Sequence, residues 1–332
     1  MDFKNISQRT FPHAALPQCC FAANVPGLSK REPGTFGNVP IFFRIFFKDI
    51  KMEHSLFALP FAYLGLFLAE RGWPSFFLFF WVSVTMVSFR TFAMAVNRLI
   101  DRPIDSQNPR TLSRALPQSQ LTSNFVLTAS LVSISIFLWS AWKLGRLCFL
   151  LSPVPIFLAV LYPYLKRFTW LSHGVLGIIL GISPYWAWLA SRNQFSWIPG
   201  FLFAGVASWV AGFDIVYALQ DLDFDSKFGL KSVPVFLGER PALWIAAGLH
   251  AFSVLAWAAA GALAGLGWIY AIGLVAVGLF LAREHWLVHR FGLSKINQAF
   301  FTMNAWVSVI VFLFAVVDLF VGATGPVAPT MG

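Results

Sequence analysis

The sequence predicts an all-α, polytopic membrane protein, and three observations carry that class. Of its 332 residues, 58% are hydrophobic and only 11% charged, where a soluble domain carries roughly a quarter charged. The mean hydropathy is +0.70. Five stretches, 115–142, 147–165, 168–191, 193–213 and 241–282, contain no Asp, Glu, Lys or Arg. Apolar segments of this kind satisfy their backbone polar groups in lipid only as helices, short of a closed barrel. About 20 residues suffice for one crossing.

Residues 1–42 hold several prolines and no apolar run long enough for a signal-peptide core, so they read as a disordered cytoplasmic tail. A transmembrane domain over 43–322 then carries nine predicted spans. The first, 46–70, contains "KMEHSLFALPFAYLG". The second and third, 74–96 and 119–142, flank the charged "NRLIDRPIDSQNPRTLSR" of 97–114. The fourth and fifth, 147–165 and 169–190, bracket Lys166 and Arg167, and the sixth, 198–219, runs into "FDIVYALQDLDFDSKFGLKS". The uncharged run 241–282 is long enough to cross twice, as 241–262 and 266–282, and 299–321 closes the set. Residues 323–332 are then a short tail on the opposite side.

An odd number of spans puts the termini on opposite faces. The N-terminal segment and the loops after the even-numbered spans hold 19 Lys and Arg residues, the other side holds 4, and Arg90 lies within a span. The positive-inside rule therefore makes the first side cytoplasmic. The net charge of +10 is mainly this orientation signal, with attraction to anionic lipid headgroups second; it is a poor argument for nucleic acid. Cys19, Cys20 and Cys148 have no metal-ligand spacing and give no disulfide.

Six of the 14 acidic residues fall in two short windows at the cytoplasmic ends of spans. Asn97, Asp101 and Asp105 share a helix face, with Arg90 two turns earlier and Pro103 placed to bend or end the helix between the aspartates. Asp214, Tyr217, Asp221 and Asp225 form a second stripe, while Asp223 points elsewhere. Like charges four residues apart weaken a helix, and a divalent cation relieves the repulsion. Hard oxygen ligands at this spacing suit Mg²⁺, which is usually held by one or two carboxylates together with substrate phosphates. Two facing stripes could thus hold Mg²⁺ ions and a diphosphate, with Arg98, Arg102, Arg110, Arg114, Lys166, Arg167, Lys227 and Lys231 as nearby cations. Either window alone reads equally well as solvated charge at a helix end.

At these residues the chain resembles the UbiA superfamily of intramembrane aromatic prenyltransferases. The first signature appears as Asn97, Asp101 and Asp105, continued by "NPRT" at 108–111. The second appears as Asp214, Tyr217, Ala218, Asp221, Asp225, Gly229, Lys231 and Ser232, and "YPYLKRFT" at 162–169 supports both. The combination looks most like the 4-hydroxybenzoate polyprenyltransferase branch and its menaquinone-pathway relatives. The resemblance implies nine helices around a central cavity, a cytoplasmic cap, and Mg²⁺-dependent transfer of a polyprenyl chain from its diphosphate to a phenolic acid in quinone biosynthesis. The expected location is a bacterial inner membrane, with the N-terminus and active site cytoplasmic.

On this basis Asn97, Asp101, Asp105, Asp221 and Asp225 are the expected metal ligands. Arg110, Lys166, Arg167 and Lys231 are assigned to diphosphate oxygens, and Lys51 and His54 to the acceptor's carboxylate. Asp214, alone in an uncharged span, would orient or deprotonate the phenol, directly or through Tyr217, because an ionisable group at that depth is functional by default. Arg90 is expected to meet Asp214 or the acceptor's carboxylate. The remaining histidines carry no metal-ligand pattern; His285 and His289 read as a solvated loop face and Asp318 as a boundary residue. A dihydroxynaphthoate is the alternative acceptor, and a membrane transporter the reading from another class.

Overall fold

The computed structural model describes residues 39–51, 55–292 and 296–322. His54, the tail as far as 38 and the C-terminal stretch 323–332 lie outside them. All regular structure among the described residues is helical: α1 (Val39–Asp49), α2 (Ser55–Glu70), α3 (Phe76–Asp105), α4 (Ser123–Leu144), α5 (Arg146–Leu151), α6 (Pro153–Leu165), α7 (Ser172–Arg192), α8 (Trp197–Ala218), α9 (Leu222–Phe228), α10 (Val233–Leu237), α11 (Glu239–Ala264), α12 (Trp268–Phe291) and α13 (Ile296–Gly322). Among the described residues eight segments are long and apolar enough to cross a membrane, with Leu59–Glu70 as a shorter apolar one.

Local chemistry sets many of the ends. Ser75, Thr122 and Ser232 each accept the amide N–H of the residue three positions on, capping α3, α4 and α10. Asn193 and Gly265 close α7 and α11 in the left-handed conformation that these residue types tolerate.

The expected first span, 46–70, is divided. A single straight helix would carry Lys48, Asp49, Lys51 and Glu53 toward hydrocarbon, at a cost of several kcal/mol. Instead α1 stops at Asp49, Lys51 takes a positive φ of 50°, and α2 begins at Ser55. Pro103 likewise does not end α3, which runs on through Asp105 to a cap at Ser106.

The bundle is built around α7 and α8, whose apolar windows are 56% buried against 28–33% for the other spans. Small residues allow the close approach. A Cβ on Gly177 of α7 would lie 2.2 Å from the Ala207 carbonyl oxygen of α8, and one on Gly65 of α2 would lie 2.1 Å from that of Pro184. One apolar core joins α2, α8, α11, α12 and α13 through Phe61, Trp209 and Trp257. A second joins α2 to α3, α4, α5 and α7 through Phe137 and Trp186. Large apolar side chains such as Leu131, Phe157, Leu255 and Leu279 face outward, as a lipid-facing surface requires.

His285 and His289 are not on a loop. They belong to α12, where His285 Nε2 hydrogen-bonds His250 Nδ1 at 3.0 Å, and only His289 is exposed. Asp318 is a structural boundary residue, accepting the Gly267 and Tyr270 amides at 2.7 Å each at the start of α12.

Candidate active site

The ends of α3, α6 and α8, the beginning of α7, and the connections 106–122, 166–171 and 219–238 meet at one end of the bundle. Asp101 and Asp105 project from the last turns of α3, each only 4% exposed. Beyond Tyr217 the α8 backbone tightens into a 3₁₀ turn, Leu219–Asp221, before α9 resumes. Asp221 and Asp225 remain half-buried while Asp223 is exposed, as the stripe predicts.

The two acid windows face each other across cations. Lys166 donates to Asp101 Oδ2 at 2.5 Å and also lies within electrostatic reach of Asp225. Arg110 donates through Nε to Asp221 Oδ1 at 2.7 Å, through Nη2 to Asp221 Oδ2, and through Nη1 to the Tyr217 hydroxyl at 2.7 Å. Burial opposes the Arg110 charge, but these bonds and the nearby Tyr217 and Asp105 more than offset it and raise its pKa. Arg114 donates to Asp105 Oδ2 at 2.6 Å.

The connection 106–122 makes this possible by folding back on itself. Asn108 Oδ1 accepts the Arg110 amide at 2.9 Å, a side-chain turn that aims the guanidinium, while its Nδ2 donates to Asp221 Oδ1 at 3.0 Å. Thr111 donates to the Asp105 carbonyl at 3.2 Å. "NPRT" is thus a clasp between the two windows.

Two adjoining cavities open here. The inner one, about 270 Å³, is lined by Arg90, Asn97, Tyr162, Asp214 and Tyr217 on its polar side and by Met86, Phe89, Ile179, Leu180 and Phe213 on its apolar side. The outer one, about 520 Å³, is lined by Lys48, Lys51, Arg98, Arg110 and Arg114, with Asp49 as its one acid. Lys51, Arg98, Arg114 and Tyr217 border both. Arg98, 4% exposed, donates to the Asp49 carbonyl at 2.9 Å and approaches its Oδ2 at 3.3 Å, while Asp49 Oδ1 accepts the Ala115 amide. These bonds fix α1 against α3.

Asp101 Oδ1 is buried with no hydrogen-bond partner among the described residues. An open oxygen one turn from the buried carboxylate of Asp105, and sharing Lys166 with Asp225 of the second window, is a donor set that fits a hard divalent cation. No three acids or histidines among the described residues converge on one point, because Lys166 and Arg110 occupy the space between the windows.

The UbiA prenyltransferase family model matches residues 58–323. The chain belongs to the UbiA prenyltransferase family. Within it, the chain is 31% identical over 255 residues to a 4-hydroxybenzoate octaprenyltransferase of Tolumonas auensis, covering 75% of this chain and 86% of that one. It is 28% identical to the enzyme of that name from Francisella tularensis subsp. novicida, covering 76% and 89%. The apo structure of a UbiA homologue from Aeropyrum pernix K1 superposes with a TM-score of 0.73 at 30% identity, over 81% of this chain and 98% of that one. A UbiA homologue from Archaeoglobus fulgidus bound to DMAPP and Mg²⁺ shares the fold, with a TM-score of 0.65 at 18% identity over 83% and 99%.

In this UbiA family member Arg90, Asn97, Asp214, Tyr217 and Lys51 come together at the inner cavity, and Arg110 and Lys166 stand between the acid windows. Arg167 and Lys231 are not among the residues lining the two cavities. Arg167 donates to the Ile100 carbonyl at 3.0 Å and lies over the Tyr164 ring. The Lys231 side chain is exposed, and its amide donates to the Lys166 carbonyl at 2.6 Å. Asp214 is bound by His173 Nδ1 at 2.7 Å, a partner that no spacing announces. Arg98 and Arg114 carried a signal only as members of a basic loop.

Proposed function

We propose that the protein transfers a polyprenyl chain from an allylic diphosphate to the ring carbon ortho to the hydroxyl of 4-hydroxybenzoate, with Mg²⁺, in quinone biosynthesis. One observation carries this reading: Arg110 and Arg114, which hold Asp221 and Asp105 of the two acid windows, also line a basic cavity that adjoins a second cavity with polar and apolar walls. The similarity to the 4-hydroxybenzoate octaprenyltransferases of Tolumonas and Francisella and to the Archaeoglobus homologue bound to DMAPP and Mg²⁺ supports it.

Asp101, Asp105, Asp221 and Asp225, with Asn97, would hold the metal, which when bound would supply Lewis-acid charge to the departing diphosphate. Lys166 and Arg110 turn from their carboxylates to the diphosphate oxygens, and Arg114 and Lys51 add positive charge at the cavity border. As the allylic C–O bond breaks, its electron pair leaves with the diphosphate. The faces of Phe89, Phe213 and Tyr162 shield the allylic cation. Arg90 receives the acceptor's carboxylate and Asp214 its hydroxyl proton, so the ring carbon ortho to that oxygen is electron-rich when it attacks. A new C–C bond forms, and loss of the ring proton to a neighbouring oxygen restores aromaticity. The cluster sits at the cytoplasmic face by the positive-inside rule.

The test is a product analysis by mass spectrometry. Purified protein, Mg²⁺ and a prenyl diphosphate are incubated with 4-hydroxybenzoate, 1,4-dihydroxy-2-naphthoate and related phenolic acids. Prenylated 4-hydroxybenzoate is expected, and Asp101→Asn or Asp221→Asn should each cut the rate by roughly 100-fold or more. A prenylated naphthoate alone would move the acceptor, and full activity in both variants would overturn the metal assignment.

A further inference from the structure

The cap segment 231–236 is fastened to the α6–α7 corner at three points. The Lys231 amide donates to the Lys166 carbonyl at 2.6 Å, the Val233 amide donates to His173 Nε2 at 3.3 Å, and Phe236 stacks on Trp170 with ring centroids 5.7 Å apart and planes 6° from parallel. The second contact continues inward to Asp214. His173 is buried, and its Nδ1 lies 2.7 Å from Asp214 Oδ2. An imidazole nitrogen that accepts an amide proton carries no hydrogen of its own. The Val233 amide therefore selects the tautomer with its proton on Nδ1, directed at the carboxylate.

We propose that His173 is a positioning residue that couples seating of the cap to the orientation of Asp214. The cap sets the tautomer, and the Nδ1–H holds Oδ2, leaving the other carboxylate oxygen to the inner cavity that Asp214 lines. With the cap lifted, the opposite tautomer becomes available. Its Nδ1 lone pair would face Oδ2, and two acceptors repel. The docked cap thus adds to the carboxylate's own preference for Nδ1–H and fixes the acceptor-side geometry when water is excluded from the allylic cation. The inference rests on the reading of Asp214 as the group that receives the phenol.

Three variants test it. His173→Ala removes both bonds, whereas His173→Gln keeps one donor and one acceptor. Val233→Pro removes the cap's N–H while keeping an apolar side chain of similar size at a position that is buried in the core. It suits the first position of α10, because the preceding Ser232 is already extended (φ −138°, ψ 163°), as a residue before proline prefers. For His173→Ala and Val233→Pro we expect kcat to fall about tenfold or more with KM for the prenyl diphosphate unchanged. Amide exchange across 230–236 should accelerate about tenfold or more in the same two variants, and His173→Gln should restore both readouts. Unchanged exchange in His173→Ala would overturn the latch. Faster exchange with wild-type kcat would overturn the coupling to Asp214, as would a folded Val233→Pro variant with full activity. If the wild-type protein prenylates no phenolic acid, the functional reading fails, and exchange alone still decides whether His173 holds the cap.

Discussion

Arg110 reaches Asp221 through Nε and Nη2 and Tyr217 through Nη1, so its planar fork is used on every side. A lysine has the charge but a single nitrogen, and cannot span both partners. Arg110→Lys is expected to lower kcat/KM for prenyl transfer by roughly 10- to 100-fold, about 1.4–2.8 kcal/mol, with an unchanged melting temperature showing that the fold survives. Steady-state rates at saturating Mg²⁺ measure it. The aspartates were readable because carboxylates four residues apart are conspicuous in so apolar a chain. His173 was not, since its partners lie 41 and 60 positions away and a lone histidine leaves no periodic trace. Arg98 was misleading for another reason. Its charge matches the orientation bias of the loop, yet it is spent in a buried ion pair with Asp49, 49 positions earlier.

Among the elements, α7 offers a direct comparison between two glycines one turn apart. Gly177 faces α8, where an added Cβ would meet the Ala207 carbonyl at 2.2 Å, while Gly174 has nothing within 4 Å. Gly177→Ala forces two backbones apart and should destabilise the detergent-solubilised protein by about 1–3 kcal/mol. Gly174→Ala should leave the thermal unfolding midpoint unchanged or slightly raised, because alanine is the better helix former by about 1 kcal/mol. Equal shifts in the two variants would contradict the close α7–α8 approach. Helices were legible from uncharged runs, which report hydrocarbon thickness directly. The division of the first span into α1 and α2 was less so, because the charged stretch 48–53 reads equally well as the cytoplasmic end of one helix. What breaks the helix is the tertiary demand of Asp49 for Arg98 and the Ala115 amide.

Across the whole molecule the polarity is lopsided. Trp73, Trp197 and Trp268, each more than 70% exposed, mark the end opposite the acid windows, as amphipathic rings do at a membrane boundary. The charge count foretold which end is basic, but not that the basic residues would be inserted between the acids. Lys166 and Arg110 make the resting cap its own counter-ion reservoir. A divalent cation arriving alone must evict a side-chain cation that then has no anion to accept it. Arriving with a diphosphate, it brings that anion along. Metal and diphosphate should therefore bind as coupled ligands, each raising the other's affinity by the same factor. Titration calorimetry is expected to find Mg²⁺ binding weak to the protein by itself and at least about tenfold tighter with a non-hydrolysable allylic diphosphate present. Equal affinities in the two titrations would show that the two ligands bind independently. On the proposed function, a cap of this kind would discriminate by combination, indifferent to Mg²⁺ alone until the diphosphate is in place.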